Sequence, residues 1–74
     1  MIKVLSIAGS DPSSGAGIQL DLKIFQKLGV FGMAIPAALT VQNSRGVLAT
    51  EPVSAALLVK QTDFLLSDLK PKAV

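Results

Sequence analysis

The sequence predicts an α/β fold in which a parallel sheet is built in the order β-α-β-α-β. Three observations support this prediction. A short apolar run, Ile2–Ala8, is followed by a segment rich in Gly, Ser, Pro and Asp. A helical repeat of apolar residues comes next, and a second apolar run of strand length, Met33–Val41, follows it. Such alternation is typical of parallel sheets whose helices connect one strand to the next.

The first half of the chain is predicted to hold a strand, a loop and a helix. Ile2–Ala8 is short and apolar, which favours a buried strand over a helix. Gly9–Gly17 is dense in residues that stabilise non-helical backbone. The helix is predicted to begin near Ala16 and to end at Gly29, which suits a left-handed cap. Its apolar face is predicted to hold Ile18, Leu22, Phe25 and Leu28, and Gln19, Lys23 and Gln26 are predicted to lie away from it.

The second half is predicted to hold a strand, a loop and a longer helix. Within Met33–Val41, Pro36 lacks an N–H group and so indicates a bulge or an unpaired position. Gln42–Ala49 is predicted to be a polar loop. Thr50, followed by an acid and a proline, predicts a helix start, and this helix is expected to run to about Leu69. Its buried face is predicted to hold Ala55, Leu58, Leu65 and Leu69, with Leu57, Phe64 and Leu66 on the other side.

The end of the chain predicts a third strand. Pro71 stops the helix, and Lys72–Val74 has the composition of a strand that is just beginning. Two strands and a stub, covered by two helices, bury only a modest core, and parallel sheets are stable when both faces are covered. We therefore expect residues 1–74 to be the amino-terminal fragment of one larger α/β domain.

Composition excludes several classes of function. The net charge is +2, the seven Lys and Arg residues are scattered, and Trp and Tyr are absent, so a nucleic-acid surface is not expected. Without Cys or His there is neither a disulfide framework nor a Cys- or His-based metal site. No apolar run approaches the roughly 20 residues that span a bilayer. A cytoplasmic protein without membrane contact is therefore expected.

The loop Gly9–Gly17 is the first candidate site. It follows a strand and precedes a helix, the position at which open α/β sheets bind ligands, and the N–H groups of a helix start can hold polar groups. It lacks the Lys-Ser/Thr pair of a P-loop. A dinucleotide fingerprint also fits poorly, because Gly15 and Gly17 are followed by Leu20 instead of Gly or Ala. A plain strand-to-helix connection remains the alternative.

Two further polar positions are candidates. Asp21 lies one turn into the first helix, where it could face the mouth of the loop or be a solvated carboxylate stabilised by the helix dipole. Gln42 and Asn43 follow the second strand. A side-chain amide both donates and accepts, which suits the amine and ring nitrogen of an aminopyrimidine. An ordinary polar turn is the alternative for this pair.

Together these residues resemble a known family. The run IAGSDPSSGAGIQLDLKIFQKLGVFGM, followed by ALTVQNSRGV, resembles the start of the hydroxymethylpyrimidine and hydroxymethylpyrimidine-phosphate kinases of thiamine biosynthesis. That family typically shows Ala-Gly-Ser/Thr-Asp-Pro-Ser-Gly-Gly-Ala-Gly-Ile-Gln-Ala-Asp-Leu-Lys and then Thr-Ala-Gln-Asn. The resemblance covers Val4 to about Val47. Ser14 departs from it by replacing the first of two adjacent glycines, and Leu20 and Val41 replace small residues.

The resemblance implies a ribokinase-like, Rossmann-like three-layer domain with the pyrimidine held by its amino-terminal half. By that resemblance Gly9 contacts the substrate through its backbone, Asp21 hydrogen-bonds it, and Gln42 binds the aminopyrimidine edge. Ala16 and Thr40 match positions that line the pocket. The residues expected to structure the loop are Asp11, Gly15 and Gly17, and Asp11 could do so as an Asx turn.

The resemblance also implies ATP and Mg²⁺, bound by a part of the domain outside these residues. No catalytic residue is expected within this chain, and the complete protein is expected to be a homodimer. Alternatives are a kinase of the same fold that acts on pyridoxal-type alcohols, and a truncated, non-catalytic ligand-binding piece.

Overall fold

The structure, a computed structural model, describes all 74 residues. Its elements are β1 (Lys3–Ser10), α1 (Gly17–Lys27), β2 (Phe31–Asn43), β3 (Gly46–Pro52) and α2 (Ala55–Leu66). One sheet has the strand order β1-β2-β3, in which β1 and β2 are parallel and β2 and β3 are antiparallel. The sheet is therefore mixed, and the prediction of a wholly parallel sheet is wrong. Neither helix has the length and apolar character needed to cross a bilayer.

Helix α1 connects the two parallel strands and packs on one face of the sheet. Gly32 in β2 permits close packing, since a Cβ there would lie 2.7 Å from the ring of Phe25. The predicted glycine cap is confirmed, because Gly29 has φ +73° directly after the helix. Leu28 was predicted to be buried and is 71% exposed. It is the C-cap residue, so it lies past the last turn that covers the sheet.

The opposite face of the sheet carries the small core. Leu5, Met33 and Ile35 are buried there. The apolar residues that pack against them are Leu58, Leu65, Leu66 and Leu69, all from α2 and the segment after it. The prediction for Leu66 is wrong, because it faces this core, and Ala55 is exposed instead of buried. Leu57 and Phe64 lie outside the core, as predicted, and are 56% and 79% exposed.

A β-hairpin replaces the predicted loop at Gln42–Ala49. Strand β2 continues to Asn43, a turn follows, and β3 pairs back so that Asn43 lies opposite Gly46. The Asn43 side-chain oxygen accepts the Arg45 N–H at 2.9 Å, which stabilises the turn. Every residue of β3 is exposed. Strand β3 is therefore an exposed edge strand that is stabilised by its pairing with β2, and its sequence shows no alternating apolar pattern.

Helix α2 begins at Ala55 and not at the predicted Thr50. Thr50 is the pairing partner of Thr40 in the hairpin, which excludes it from a helix start. The cap is Ser54, whose Oγ accepts the Leu57 N–H at 3.1 Å. The helix ends at Leu66 instead of Leu69.

Two other features of the sheet match the sequence. The register between β1 and β2 shifts beside Pro36, so the predicted irregularity is confirmed. At the chain end, Ala73 forms a parallel bridge with Val4, and the Leu5 N–H donates to the Ala73 carbonyl at 3.0 Å. A third parallel alignment therefore begins beside β1, although it consists of one bridge.

Candidate functional site

The loop after β1 and the tip of the hairpin enclose a cleft. Strand β1 ends at Ser10, which lies opposite Leu39, and β2 continues to Asn43 paired only with β3. The edge left open by β1 faces the loop that leads into α1. The resulting cleft has a volume of about 450 Å³. Its lining consists of Asp11, Ser13, Gly15, Ala16, Gln42, Asn43, Ser44, Arg45 and Gly46.

The carboxylate of Asp11 organises the loop. Asp11 is 4% exposed, and its Oδ1 accepts the Ser13 N–H at 2.8 Å and the Ser13 hydroxyl at 2.6 Å. The Ser13 hydroxyl, followed by the N–H groups of Ser13, Gly15 and Ala16, lowers the pKa of Asp11 below its ordinary 3.8, and burial opposes this effect. The loop N–H groups are thus directed at an internal anion.

Close backbone contact makes glycine necessary where α1 begins. Gly17 has φ +63°, and a Cβ there would lie 2.3 Å from the carbonyl oxygen of Gly9 and 3.2 Å from the Asp11 nitrogen. At Gly15 a Cβ would lie 3.6 Å from the Asp11 carboxylate, an ordinary contact. The start of α1 is therefore held against the end of β1, and Gly17 is the residue that permits it.

A directed chain of hydrogen bonds orients Gln42. The Thr40 hydroxyl donates to the Ser10 carbonyl oxygen at 2.7 Å. Because its single proton is used there, Thr40 Oγ1 can only accept, and it accepts from Gln42 Nε2 at 2.5 Å. Gln42 thereby keeps one N–H and its carbonyl oxygen available in the cleft. Two adjacent groups of this kind, one donor and one acceptor, match a planar ligand edge that carries the complementary pair.

Asp21 is held inside the fold by a buried serine. The Ser6 hydroxyl in β1 donates to Asp21 Oδ2 at 2.6 Å, and Ser6 is only 8% exposed. Asp21 is half-buried on α1. Its other carboxylate oxygen has no side-chain donor, so it retains the capacity to accept a hydrogen bond.

The structure brings some of the sequence-predicted residues together and separates others. Those that line the cleft are Asp11, Gly15, Ala16 and Gln42. Those that lie outside the lining are Gly9, Thr40, Asp21 and Gly17. Thr40 and Gly17 are tied to the cleft by the contacts described above. Gly9 has open space beside it, since no atom lies within 4 Å of the position a Cβ would take.

Two polar residues at the site are not among those predicted from the sequence. Gln19, predicted to lie away from the apolar face, bonds to the loop: its Oε1 accepts the Asp11 N–H and its Nε2 donates to Ser10 Oγ, each at 2.7 Å. Arg45, at the hairpin tip, is the cation of the cleft lining. Neither a helical period nor a turn motif signals the Gln19 contacts, because they depend on how the loop folds back on the start of α1. No group of three or more His, Cys, Asp or Glu residues is placed to hold a metal ion.

Comparison with known proteins assigns the family. Residues 11–74 match the phosphomethylpyrimidine kinase family. A hydroxymethylpyrimidine/phosphomethylpyrimidine kinase from Rhizobium meliloti is 57% identical over 70 residues, which cover 95% of this chain. The crystal structure of a phosphomethylpyrimidine kinase from Clostridium difficile superposes on the whole chain with a TM-score of 0.94 at 46% identity. The pyridoxal kinase of Staphylococcus aureus, solved with AMP-PCP and pyridoxal, covers 90% of the chain with a TM-score of 0.79 at 39% identity.

The chain is much shorter than these proteins. It spans 26% of the Rhizobium meliloti kinase, 32% of the Clostridium difficile kinase and 26% of the Staphylococcus aureus kinase. The similarity nevertheless extends over nearly all of the residues present and includes the loop, the hairpin and both helices. The chain belongs to the phosphomethylpyrimidine kinase family.

Proposed function

We propose that this chain supplies the acceptor-binding half-site of an ATP-dependent kinase. The acceptors are 4-amino-5-hydroxymethyl-2-methylpyrimidine and its monophosphate, the substrates of the thiamine-biosynthesis kinases that it resembles. Residues 1–74 are the amino-terminal fragment of a single ribokinase-like domain in this proposal. Family membership supports the reaction class, and the cleft supports the kind of ligand.

The observation that carries the proposal is the orientation of Gln42. Thr40 accepts one N–H of the Gln42 amide, so the second N–H and the carbonyl oxygen remain available to a ligand in the cleft. An aminopyrimidine presents an amine donor next to a ring-nitrogen acceptor. The free donor and acceptor of the amide can pair with these two groups, and a preoriented amide costs less entropy on binding than a mobile one.

Asp21 and Gly9 complete the proposed half-site. The carboxylate oxygen of Asp21 that Ser6 leaves unused can accept a hydrogen bond from the substrate. The space beside Gly9 allows a ligand to approach the backbone there. Ala16 lines the cleft in this proposal, and Thr40, which lies outside the lining, acts through its bond to Gln42. The role of each is a binding role, and none is a catalytic residue.

Phosphoryl transfer needs groups that this chain does not supply. Transfer depends on positioning and on stabilising charge around metal-bound phosphates. The Ser13 N–H group and hydroxyl already bind Asp11, and no acidic cluster is placed for a metal. In the proposal, ATP and Mg²⁺ are bound by the remainder of the kinase domain, and the 74 residues alone are inactive.

A pyridoxal-type kinase is the second candidate function. The likeness to the Staphylococcus aureus pyridoxal kinase favours it, because that protein was solved with pyridoxal bound. Pyridoxal lacks the amine beside a ring nitrogen that the Gln42 edge would recognise. The pyrimidine is therefore the better match to the oriented amide.

A grafted kinase tests the proposed function. In this graft, residues 1–74 replace the matching segment of the Rhizobium meliloti kinase, a substitution favoured by 57% identity. We expect the graft to phosphorylate the hydroxymethylpyrimidine and its monophosphate, with a higher kcat/KM for the pyrimidine than for pyridoxal. A folded graft that prefers pyridoxal would establish the second candidate, and a folded graft without turnover of either would reject both.

The isolated chain separates the kinase from the non-catalytic alternative. Calorimetric titration of the 74-residue chain with the pyrimidine, and separately with ATP, measures what it binds by itself. The proposal expects no turnover by this chain. Binding of the pyrimidine with an affinity equal to that of the graft would favour a self-sufficient ligand-binding piece.

A further inference from the structure

Gln19 ties the end of β1 to the start of the loop from the helix side. Its Oε1 accepts the Asp11 N–H at 2.7 Å, and its Nε2 donates to Ser10 Oγ at 2.7 Å. The backbone fixes the orientation of the Gln19 amide. Because the Asp11 N–H group can only donate, the amide must turn its oxygen toward Asp11. Two consecutive residues are thus held by one side chain.

The position of Gln19 on its helix makes this contact distinctive. Ala16 is the N-cap of α1, so Gln19 is the third residue of the helix. A Gln at this position commonly reaches back to the N–H group of the cap residue. Here the Ala16 cap has no side-chain bond, and the amide of Gln19 instead serves Ser10 and Asp11. Its contacts therefore go to the loop and the strand end.

Ser10 joins Gln19 to the residue that would bind the substrate. Its hydroxyl accepts from Gln19, and its carbonyl oxygen accepts from Thr40, which in turn accepts from Gln42. If Ser10 shifts, the acceptor that consumes the Thr40 proton shifts with it. Thr40 then no longer has to act as an acceptor only, and the amide of Gln42 loses its fixed orientation.

We propose that Gln19 is a positioning residue for the acceptor substrate, which acts by fixing Ser10 and, through Thr40, the orientation of the Gln42 amide. The inference rests on the proposed function, because it requires that Gln42 contact the substrate. Gln19 lies outside the cleft lining and acts through Ser10, Thr40 and Gln42. Gln19 makes no contact with the substrate in this account.

Gln19→Met in the graft removes both bonds while it keeps side-chain length and helix propensity. Gln26→Met, on the same helix two turns later at an exposed position, is the matched control. We expect Gln19→Met to raise the KM for the pyrimidine about tenfold, the size expected for losing hydrogen-bonded order at one contact. The KM for ATP and the kinetics of the control should stay at the values of the unsubstituted graft.

A double-substitution cycle tests the route. When Gln42 is already Ala, Gln19→Met should change the KM for the pyrimidine by less than about twofold, since coupled residues are not additive. An equal tenfold effect in both backgrounds would overturn the route through Gln42. A loss of kcat alone, with an unchanged KM, would show that Gln19 serves only the fold. If the Gln42→Ala graft binds the pyrimidine as well as the unsubstituted graft, the proposed function itself fails.

Gln19→Glu provides a second test in case the Gln19→Met graft does not fold. The carboxylate can still accept the Asp11 N–H, and the Ser10 hydroxyl can turn to donate to it. We expect a KM for the pyrimidine between those of the unsubstituted and Gln19→Met grafts, and slower hydrogen exchange of the loop peptide than in Gln19→Met. A Gln19→Glu graft that exchanges as Gln19→Met does and has an unchanged KM would overturn the inference.

Discussion

Gly17 lies so close to the carbonyl oxygen of Gly9 that a Cβ on Gly17 would be 2.3 Å from it. Both the contact and a φ of +63° require glycine at this position. The contact brings the first turn of α1 against the end of β1, which places the loop between them. The shape of the candidate site therefore depends on a residue that does not line it.

Gly17→Ala should lower the free energy of unfolding of the graft by about 2–4 kcal/mol, because left-handed strain adds to a steric clash. Gly29→Ala is the matched control, since Gly29 has φ +73° and open space around it. That control should cost only the left-handed strain, about 1 kcal/mol. Urea unfolding of both variants measures the difference, and equal losses would show that the contact with Gly9 is not rigid.

Ser14→Gly should stabilise the graft. Ser14 is the non-glycine residue with positive φ, +68°, and relief of left-handed strain should add about 1 kcal/mol to the free energy of unfolding. Ser13→Gly should act in the opposite direction, because the Ser13 hydroxyl bonds to Asp11. Thermal unfolding of the two variants side by side checks the prediction. A lower midpoint for Ser14→Gly would contradict it.

Asp11 should make the stability of the graft depend on pH in the acid range. The pKa of Asp11 in the folded state lies below the ordinary value of 3.8, so the folded state prefers the charged carboxylate. This contribution is complete above the unfolded pKa of about 4 and is lost as the pH falls through the folded pKa. Asp11→Asn should therefore be less stable than the parent at pH 7, and the difference should shrink below pH 4. A difference that is equal at pH 7 and at pH 3 would show that the charge of Asp11 is not what holds the loop.

Thr40→Val should weaken binding of the pyrimidine substrate without changing the shape of the side chain at position 40. The substitution keeps the volume of the side chain but removes both the donor to Ser10 and the acceptor for Gln42. We expect the KM of the graft for the pyrimidine to rise about tenfold, in line with losing a hydrogen-bonded orientation. Thr50→Val, in the exposed strand β3, is the control for β propensity and should leave KM unchanged. Equal KM values for the two variants would show that Thr40 does not orient Gln42.

The sequence was a good guide wherever one local signal decided the structure. The short apolar run of β1, the helical period of α1 and the left-handed Gly29 cap each act within a few residues. Pro36 likewise signalled the irregular register, because a missing N–H group has the same effect in any strand. These elements place the loop at the carboxyl end of the sheet.

The hairpin could not be predicted from local signals. Thr50, Glu51 and Pro52 have the composition of a helix start, yet they pair with β2. Strand β3 is exposed throughout, so no alternation of apolar residues marks it. Pairing with β2 outweighs the local helix propensity of these residues. The hydroxyl that caps α2 therefore belongs to Ser54 and not to Thr50.

The sequence proposes residue types for the candidate site, but it does not indicate the hydrogen bonds that connect them. Gln42 was assigned through the family resemblance, whereas the bond that sets the direction of its hydrogen-bond chain, from Thr40 to Ser10, joins residues 30 positions apart. Gln19 was assigned to the outward face because the helical period sorts residues by apolarity alone. Hydrogen bonds between a helix and a preceding loop are invisible to such a pattern.

Equilibrium titration of the graft with hydroxymethylpyrimidine, in the absence of ATP, measures whether Gln42 binds the pyrimidine. Gln42→Ala removes the oriented amide, and Gln61→Ala, an exposed amide on α2, is its matched control. The account predicts that Gln42→Ala weakens pyrimidine binding about 10- to 100-fold, the effect of losing one or two buried hydrogen bonds, while ATP affinity and the control stay unchanged. Equal pyrimidine affinity in Gln42→Ala and Gln61→Ala would contradict the assignment of this chain as the acceptor half-site.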